Sequence, residues 1–114
     1  MITVNQSANV QVNLEHDGNH IYFNNPVTKG SIDSLARIIK LKNNELQRIK
    51  KNPLVNYIKP NPLYLHITTD GGDFIEALRA VDLIKSSKIP IYTVAEGHVS
   101  SAGTIMAVVG KNVL

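Results

Sequence analysis

Apolar and polar residues change rhythm several times along this chain, and each change predicts an element. His20-Ile21-Tyr22-Phe23 is a short run suited to a strand. Ile32, Leu35, Ala36 and Ile39 then recur at helical spacing, and Leu46 and Ile49 resume that face later. Tyr64 to Thr69 is rich in β-branched and aromatic residues and predicts a second strand. Phe74, Ala77, Leu78, Val81 and Ile84 share one face of a second helix. Ile91 to Val94 returns to strand character. From Ser101 to Val109 the residues are small or apolar nearly all round, which predicts a buried helix. Before all of these, Val10 to Leu14 alternates and reads as a strand or an arm.

The breaks between these runs carry their own signals. Asp17-Gly18-Asn19 is a turn, and Pro26 ends the first strand because it cannot continue a ladder. Gly30-Ser31 opens the first helix, with Ser31 as the expected N-cap and Asp33 at the positive end of the dipole. Pro53 sets its outer limit, and the stretch from Asn52 to Pro62, with three prolines, reads as a surface connection. Asp70-Gly71-Gly72 is a tight turn, and Asp73 is placed to cap the second helix. A second turn is expected at Glu96-Gly97-His98. Strand, turn and helix thus occur twice in succession, as in an α/β fold. Strands Tyr64–Thr69 and Ile91–Val94 should be parallel neighbours, with the helix from Asp73 packed across them. Loops at the carboxyl ends of such strands are where sites form.

Length and composition narrow the class. With 114 residues the chain makes at most one small domain, divided here into an arm, residues 1–18, and an α/β domain, residues 19–114. An apolar fraction of 43% fits a folded protein. No apolar run is long enough to span a bilayer, and the first residues do not read as a signal peptide, so no membrane association and a cytoplasmic location are expected. There is no cysteine, which excludes disulfides and thiolate chemistry. Seven Lys or Arg and one acid, Glu45, lie between Arg37 and Lys59. Without interleaved aromatics this run reads as a solvated helix face, and no nucleic-acid partner is expected.

The candidate chemistry lies in the two turns. His16, His20, His66 and His98 show no carboxylate–His spacing of a metal site, and neither a phosphate loop nor a dinucleotide fingerprint is present. No metal and no cofactor are expected. Asp70 and Asp73 read as turn and cap residues. A serine nucleophile needs a sharp strand-to-helix turn, small flanking residues and backbone N–H donors for an oxyanion. Gly97-His98-Val99-Ser100-Ser101-Ala102-Gly103 meets the first two needs, and the Gly71-Gly72 turn offers a donor. A small-residue helix start packed on a strand would explain the same residues, and His98 is poorly placed to act as base for Ser101.

These motifs resemble the proteolytic subunit family of Clp proteases, within the Clp/crotonase superfamily. In that family a strand ends in Ser-Pro-Gly-Gly, and a Gly-x-Ala-Ala-Ser segment follows one helix and one strand later. The corresponding residues here are Thr69-Asp70-Gly71-Gly72 and Gly97-His98-Val99-Ser100-Ser101. The family serine lies four residues after the glycine, which selects Ser101 over Ser100. The resemblance implies a Clp/crotonase-like spiral of parallel strand–helix units, incomplete at the C-terminus. It implies a serine endopeptidase with Ser101 as nucleophile and the backbone N–H groups of Gly72 and Ala102 as the oxyanion hole. It also implies a peptide or unfolded-protein substrate, a ring-forming homo-oligomer and an unfoldase ATPase partner. Asp70 replaces the family proline, and the family's His and later Asp have no counterpart in these 114 residues. Three other readings stay open: a catalytically inactive Clp-like subunit, a signal-peptide-peptidase-like enzyme using a Lys base, and a crotonase-type enzyme. Lys111 is too far along the buried helix to serve as that base.

Overall fold

The computed structural model describes residues 12–54, 59–100 and 102–110. Its sheet has four strands: β1 (Glu15–Asp17), β2 (His20–Phe23), β3 (Leu63–Thr69) and β4 (Ile91–Val99), side by side in that order. The helices are α1 (Lys29–Lys50), α2 (Phe74–Ser86) and α3 (Ala102–Val108). Strands β2, β3 and β4 are parallel, as their separation by helices requires, and β1 turns back antiparallel onto β2 through Gly18. The expected parallel pairing of the Tyr64 and Ile91 strands is present, with Leu63 opposite Ile91 and Leu65 opposite Thr93. Of the alternating segment from Val10 to Leu14, Val10 and Gln11 lie outside the described residues, and Val12 to Leu14 are not in a strand.

The pleat divides the sheet into two unlike faces. Ile21, Phe23, Leu65 and Ile67 point into the core and are fully buried, with Leu63, Thr69, Ile91 and Thr93 beside them. Ile32, Leu35, Ile38 and Ile39 of α1 and Ala77, Ala80 and Ile84 of α2 complete this core. The other face carries His20, Tyr22, Tyr64, His66, Tyr92 and Val94, all at least partly exposed.

Several expectations shift at this level. Helix α1 starts before Ser31: Thr28 is its N-cap, and Ser31 is the third residue of a capping box. The Ser31 N–H donates to Thr28 Oγ1 at 3.1 Å, while the Thr28 N–H donates to Ser31 Oγ at 3.0 Å. In α2 the buried stripe is Ala77, Ala80 and Ile84, whereas Phe74 and Leu78 are exposed. The small alanines face inward, and the helix is rotated away from its bulkier residues. Nor is α3 buried all round, since Val108 is exposed. Its inner side is Ala102, Gly103, Met106 and Ala107, and just beyond its end a Cβ on Gly110 would stand 2.6–2.8 Å from Thr93 atoms. Thr93 also donates its hydroxyl proton to the Ala107 carbonyl.

Candidate active site

The carboxyl ends of β3 and β4 bring the two glycine-bearing segments together. After Thr69 the chain turns through Gly71 (φ 104°) and Gly72 (φ 145°), conformations that side chains rarely adopt. Three separate stretches hold this turn. Thr69 Oγ1 accepts the Gly71 N–H at 3.1 Å. Val27, just before α1, donates its N–H to the Gly71 carbonyl and accepts the Asp73 N–H, both at 2.8 Å. A side chain on Gly72 would run into the Val27 carbonyl oxygen, so only glycine fits there. Asp73 then caps α2, its Oδ1 accepting the N–H groups of Ile75 at 2.8 Å and Glu76 at 3.1 Å.

The third clamp comes from Ser100, beside the expected nucleophile. Ser100 donates its N–H to the Thr69 carbonyl at 3.2 Å and its hydroxyl to the Asp70 carbonyl at 3.0 Å. This serine therefore joins the two segments, a role that nothing in the spacing of the sequence announces. Among the described residues no acceptor takes the N–H of Gly72, which is exposed. Ala102 is the first residue of α3, where the N–H groups have no partner within the helix. Ser101, the expected nucleophile, lies outside the described residues.

The expected turn at Glu96–His98 is different in form. Strand β4 runs on through it to Val99, and the register with β3 slips between Ile67 and Thr69. Gly97 adopts φ 56°, and Thr68 donates its hydroxyl to the Glu96 carbonyl at 2.7 Å. A bulge, not a tight turn, thus re-aims the chain toward α3. His98 Nε2 stands 3.4 Å from Asp70 Oδ1, with both side chains largely exposed. Asp73 caps a helix as expected; Asp70 caps nothing and faces His98 instead.

Behind the site, α1 and α2 are tied by charge. The Arg79 guanidinium donates to Asp33 Oδ1 at 2.6 Å and to Glu76 Oε1 at 2.7 Å. Hydrogen bonds from Lys29 and then Arg79 hold the Asp33 carboxyl below the usual carboxylate range. Burial acts to lower the Arg79 guanidinium, but bonds to Glu76 and Asp33 outweigh it and raise it above its ordinary value.

The family model for Clp protease matches residues 20–113. The chain belongs to the Clp protease family. The ATP-dependent Clp protease proteolytic subunit 2 of Treponema pallidum is 34% identical over 50 residues, 44% of this chain and 25% of that relative. Its counterpart in Treponema denticola is 38% identical over 45 residues, 40% of this chain and 22% of that relative. The fold is shared with the ClpP protease catalytic domain from Plasmodium falciparum (TM-score 0.66, 24% identity, 82% of this chain and 46% of that one). It is shared also with ClpP1 from Listeria monocytogenes (TM-score 0.60, 16% identity, 96% of this chain and 52% of that one). The chain spans about half the length of these Clp structures. The α/β class expected from the pattern holds. Among the described residues no helix is long and apolar enough to cross a membrane.

Proposed function

We propose that this chain contributes the nucleophile and the oxyanion hole of a Clp-type serine endopeptidase. Ser101 attacks the peptide carbonyl. The N–H groups of Gly72 and Ala102 receive the charge that develops on its oxygen. The observation that carries this reading is the clamped Gly71–Gly72 turn, whose exposed Gly72 N–H has no acceptor among the described residues. Ser100 supports the choice of Ser101, because its own hydroxyl proton is engaged by the Asp70 carbonyl. Peptides or unfolded proteins are the substrate. The curated relatives carry Clp names that include ATP dependence, and by that likeness the chain works in a homo-oligomeric ring beside an unfoldase ATPase, in the cytoplasm.

A serine hydroxyl needs a base to accept its proton. His98, the histidine nearest Ser101 along the chain, is turned toward Asp70. That observation favours a second reading, a Clp-like subunit that assembles with active subunits without cleaving peptides itself. A fluorogenic peptide assay separates the two. The isolated chain should be slower than a full triad enzyme by about 10⁴-fold or more. Activity gained when a longer form supplies a base, and abolished by Ser101→Ala, supports the first reading; activity that ignores Ser101→Ala defeats it.

A further inference from the structure

The open face of the sheet holds a row of ionisable side chains that the proposed peptide chemistry does not use. His20 of β2 and His66 of β3 lie on a diagonal of the parallel register, since Tyr22, not His20, is directly opposite His66. Aromatic side chains reach across such diagonals. His20 Nδ1 and His66 Nε2 face each other at 2.8 Å, a hydrogen bond between the two strands. The ring centroids are 5.1 Å apart, so the two nitrogens point straight at one another. Tyr22 stacks on His66 with centroids 4.7 Å apart, and Tyr64 stacks on His20 at 5.1 Å, which holds both rings in this line.

One nitrogen of the pair must donate and the other accept, and the surroundings decide which. His66 Nδ1 is buried and makes no hydrogen bond among the described residues, yet Glu96 Oε2 stands 3.1 Å from it. Charge alone selects the tautomer there, because the carboxylate repels a bare lone pair and attracts an N–H. His66 therefore carries its proton on Nδ1, its Nε2 accepts, and His20 Nδ1 donates. The bare nitrogen left over is Nε2 of His20, on an exposed residue. The other ionisable groups of this face are Glu15 and Asp17 of β1, opposite Tyr22 and His20 in the register, and the phenols of Tyr22, Tyr64 and Tyr92. The helices pack on the opposite face.

We propose that His20 and His66 form a proton-operated latch between β2 and β3, tightened by a first proton and opened by a second. The first proton enters from solvent at His20 Nε2. It leaves the hydrogen bond in place and makes its donor cationic, and charge-assisted bonds are roughly twice as strong as neutral ones. Asp17, opposite His20, attracts that charge. A second proton can enter only at His66 Nε2, the nitrogen that accepts the bond. It sets two N–H groups head to head and puts like charges on neighbouring rings, so the bond is lost and the rings part. Each parting ring leaves the tyrosine stacked on it, and the open face changes shape. Imidazole is the side chain that changes charge between about pH 5 and 8, so the latch answers to mild acid.

Imidazole ¹⁵N spectra of the whole chain, followed from about pH 8 to about pH 4, test this. At the alkaline end both rings should show the Nδ1–H tautomer. On acidification the His20 Nε2 signal should move first, and His66 should follow in a separate, later step. His16→Ala should leave both signals unchanged, because His16 pairs with Ile21 and so lies on the other face of the sheet. His20→Phe and His66→Phe keep a ring against each tyrosine and remove the nitrogens. Urea unfolding of wild type, both single variants and the double variant should give a coupling that favours the folded chain about fivefold near neutrality. Once both protons are bound, that coupling should vanish or change sign. An Nε2–H tautomer at His66, a single joint step for the two rings, or a coupling that is the same before and after acidification overturns the proposal.

Discussion

Gly103→Ala should damage the candidate oxyanion turn although residue 103 makes no hydrogen bond to it. A Cβ at 103 would overlap Thr69 Cγ2 and stand 3.3 Å from Val99 Cγ1. One methyl group forced into a packed site costs about 1–3 kcal/mol. Thr69 can escape only by rotating about its Cα–Cβ bond, and that carries Oγ1 away from the buried Gly71 N–H it now accepts at 3.1 Å. Leaving such a donor without a partner costs about 1–3 kcal/mol. These are alternative routes to relieve one clash, so they do not add. Alanine's better helix propensity offsets about 1 kcal/mol. The net loss is about 1 kcal/mol, roughly fivefold in the folding equilibrium. Thr69→Ser tests the mechanism. It keeps the hydroxyl and removes the methyl, costing about 0.8 kcal/mol by itself, and it opens the space that the new Cβ needs. Urea unfolding of the four forms in a double-mutant cycle should give a favourable coupling of about 1–2 kcal/mol. A Gly103→Ala chain as stable as wild type, or two changes that merely add, would refute the reasoning.

Two further outcomes follow from surface groups. The Asp33 carboxyl is held low by Lys29 and Arg79 in the folded chain, so its contribution is present above its unfolded pKa of about 3.9 and is lost as pH falls through the lower folded value. Asp33→Asn should therefore flatten the loss of stability below about pH 4, measured by denaturant midpoints across pH; an unchanged slope would count against the pair. Phe74, Ile75 and Leu78 form an exposed apolar face at the start of α2, and the chain should self-associate through it. Light scattering should show a mass above the monomer that Leu78→Glu reduces, and a stable wild-type monomer at high concentration would sink the idea.

The hydrophobic rhythm revealed most of the fold, because burial has the same periods in sequence as in space. His20–Phe23 was legible to the residue, and β3 within one. What the pattern hid was side-chain identity acting at a distance. Phe74 and Leu78 carry the strongest apolar signal in α2, yet the alanines face the core, where the helix comes close to both α1 and α3 and small residues permit the approach. Gly97 reads as a turn because glycine marks any positive φ, and the sequence does not tell a turn from a bulge inside a strand. In the candidate site, the Gly71–Gly72 turn and its capping Asp73 were visible as local chemistry. The Val27 contact, the Ser100 staple and the meeting of His20, His66 and Glu96 were not, because each joins strands or loops far apart along the chain.

The bonds from Val27 to Gly71 and Asp73 have a bearing on how the protein acquires its site. The donor turn is closed on one side by a residue that precedes all of α1, and on the other by Ser100, which follows all of β4. Neither bond forms until the intervening chain has been drawn together, and such non-local closures come late because their entropy must be lost before any contact rewards it. A nascent chain released only as far as α2 therefore has the glycines of the turn but not its shape. The order of synthesis thereby delays the proposed oxyanion hole until the strand that leads to the proposed nucleophile has joined the sheet.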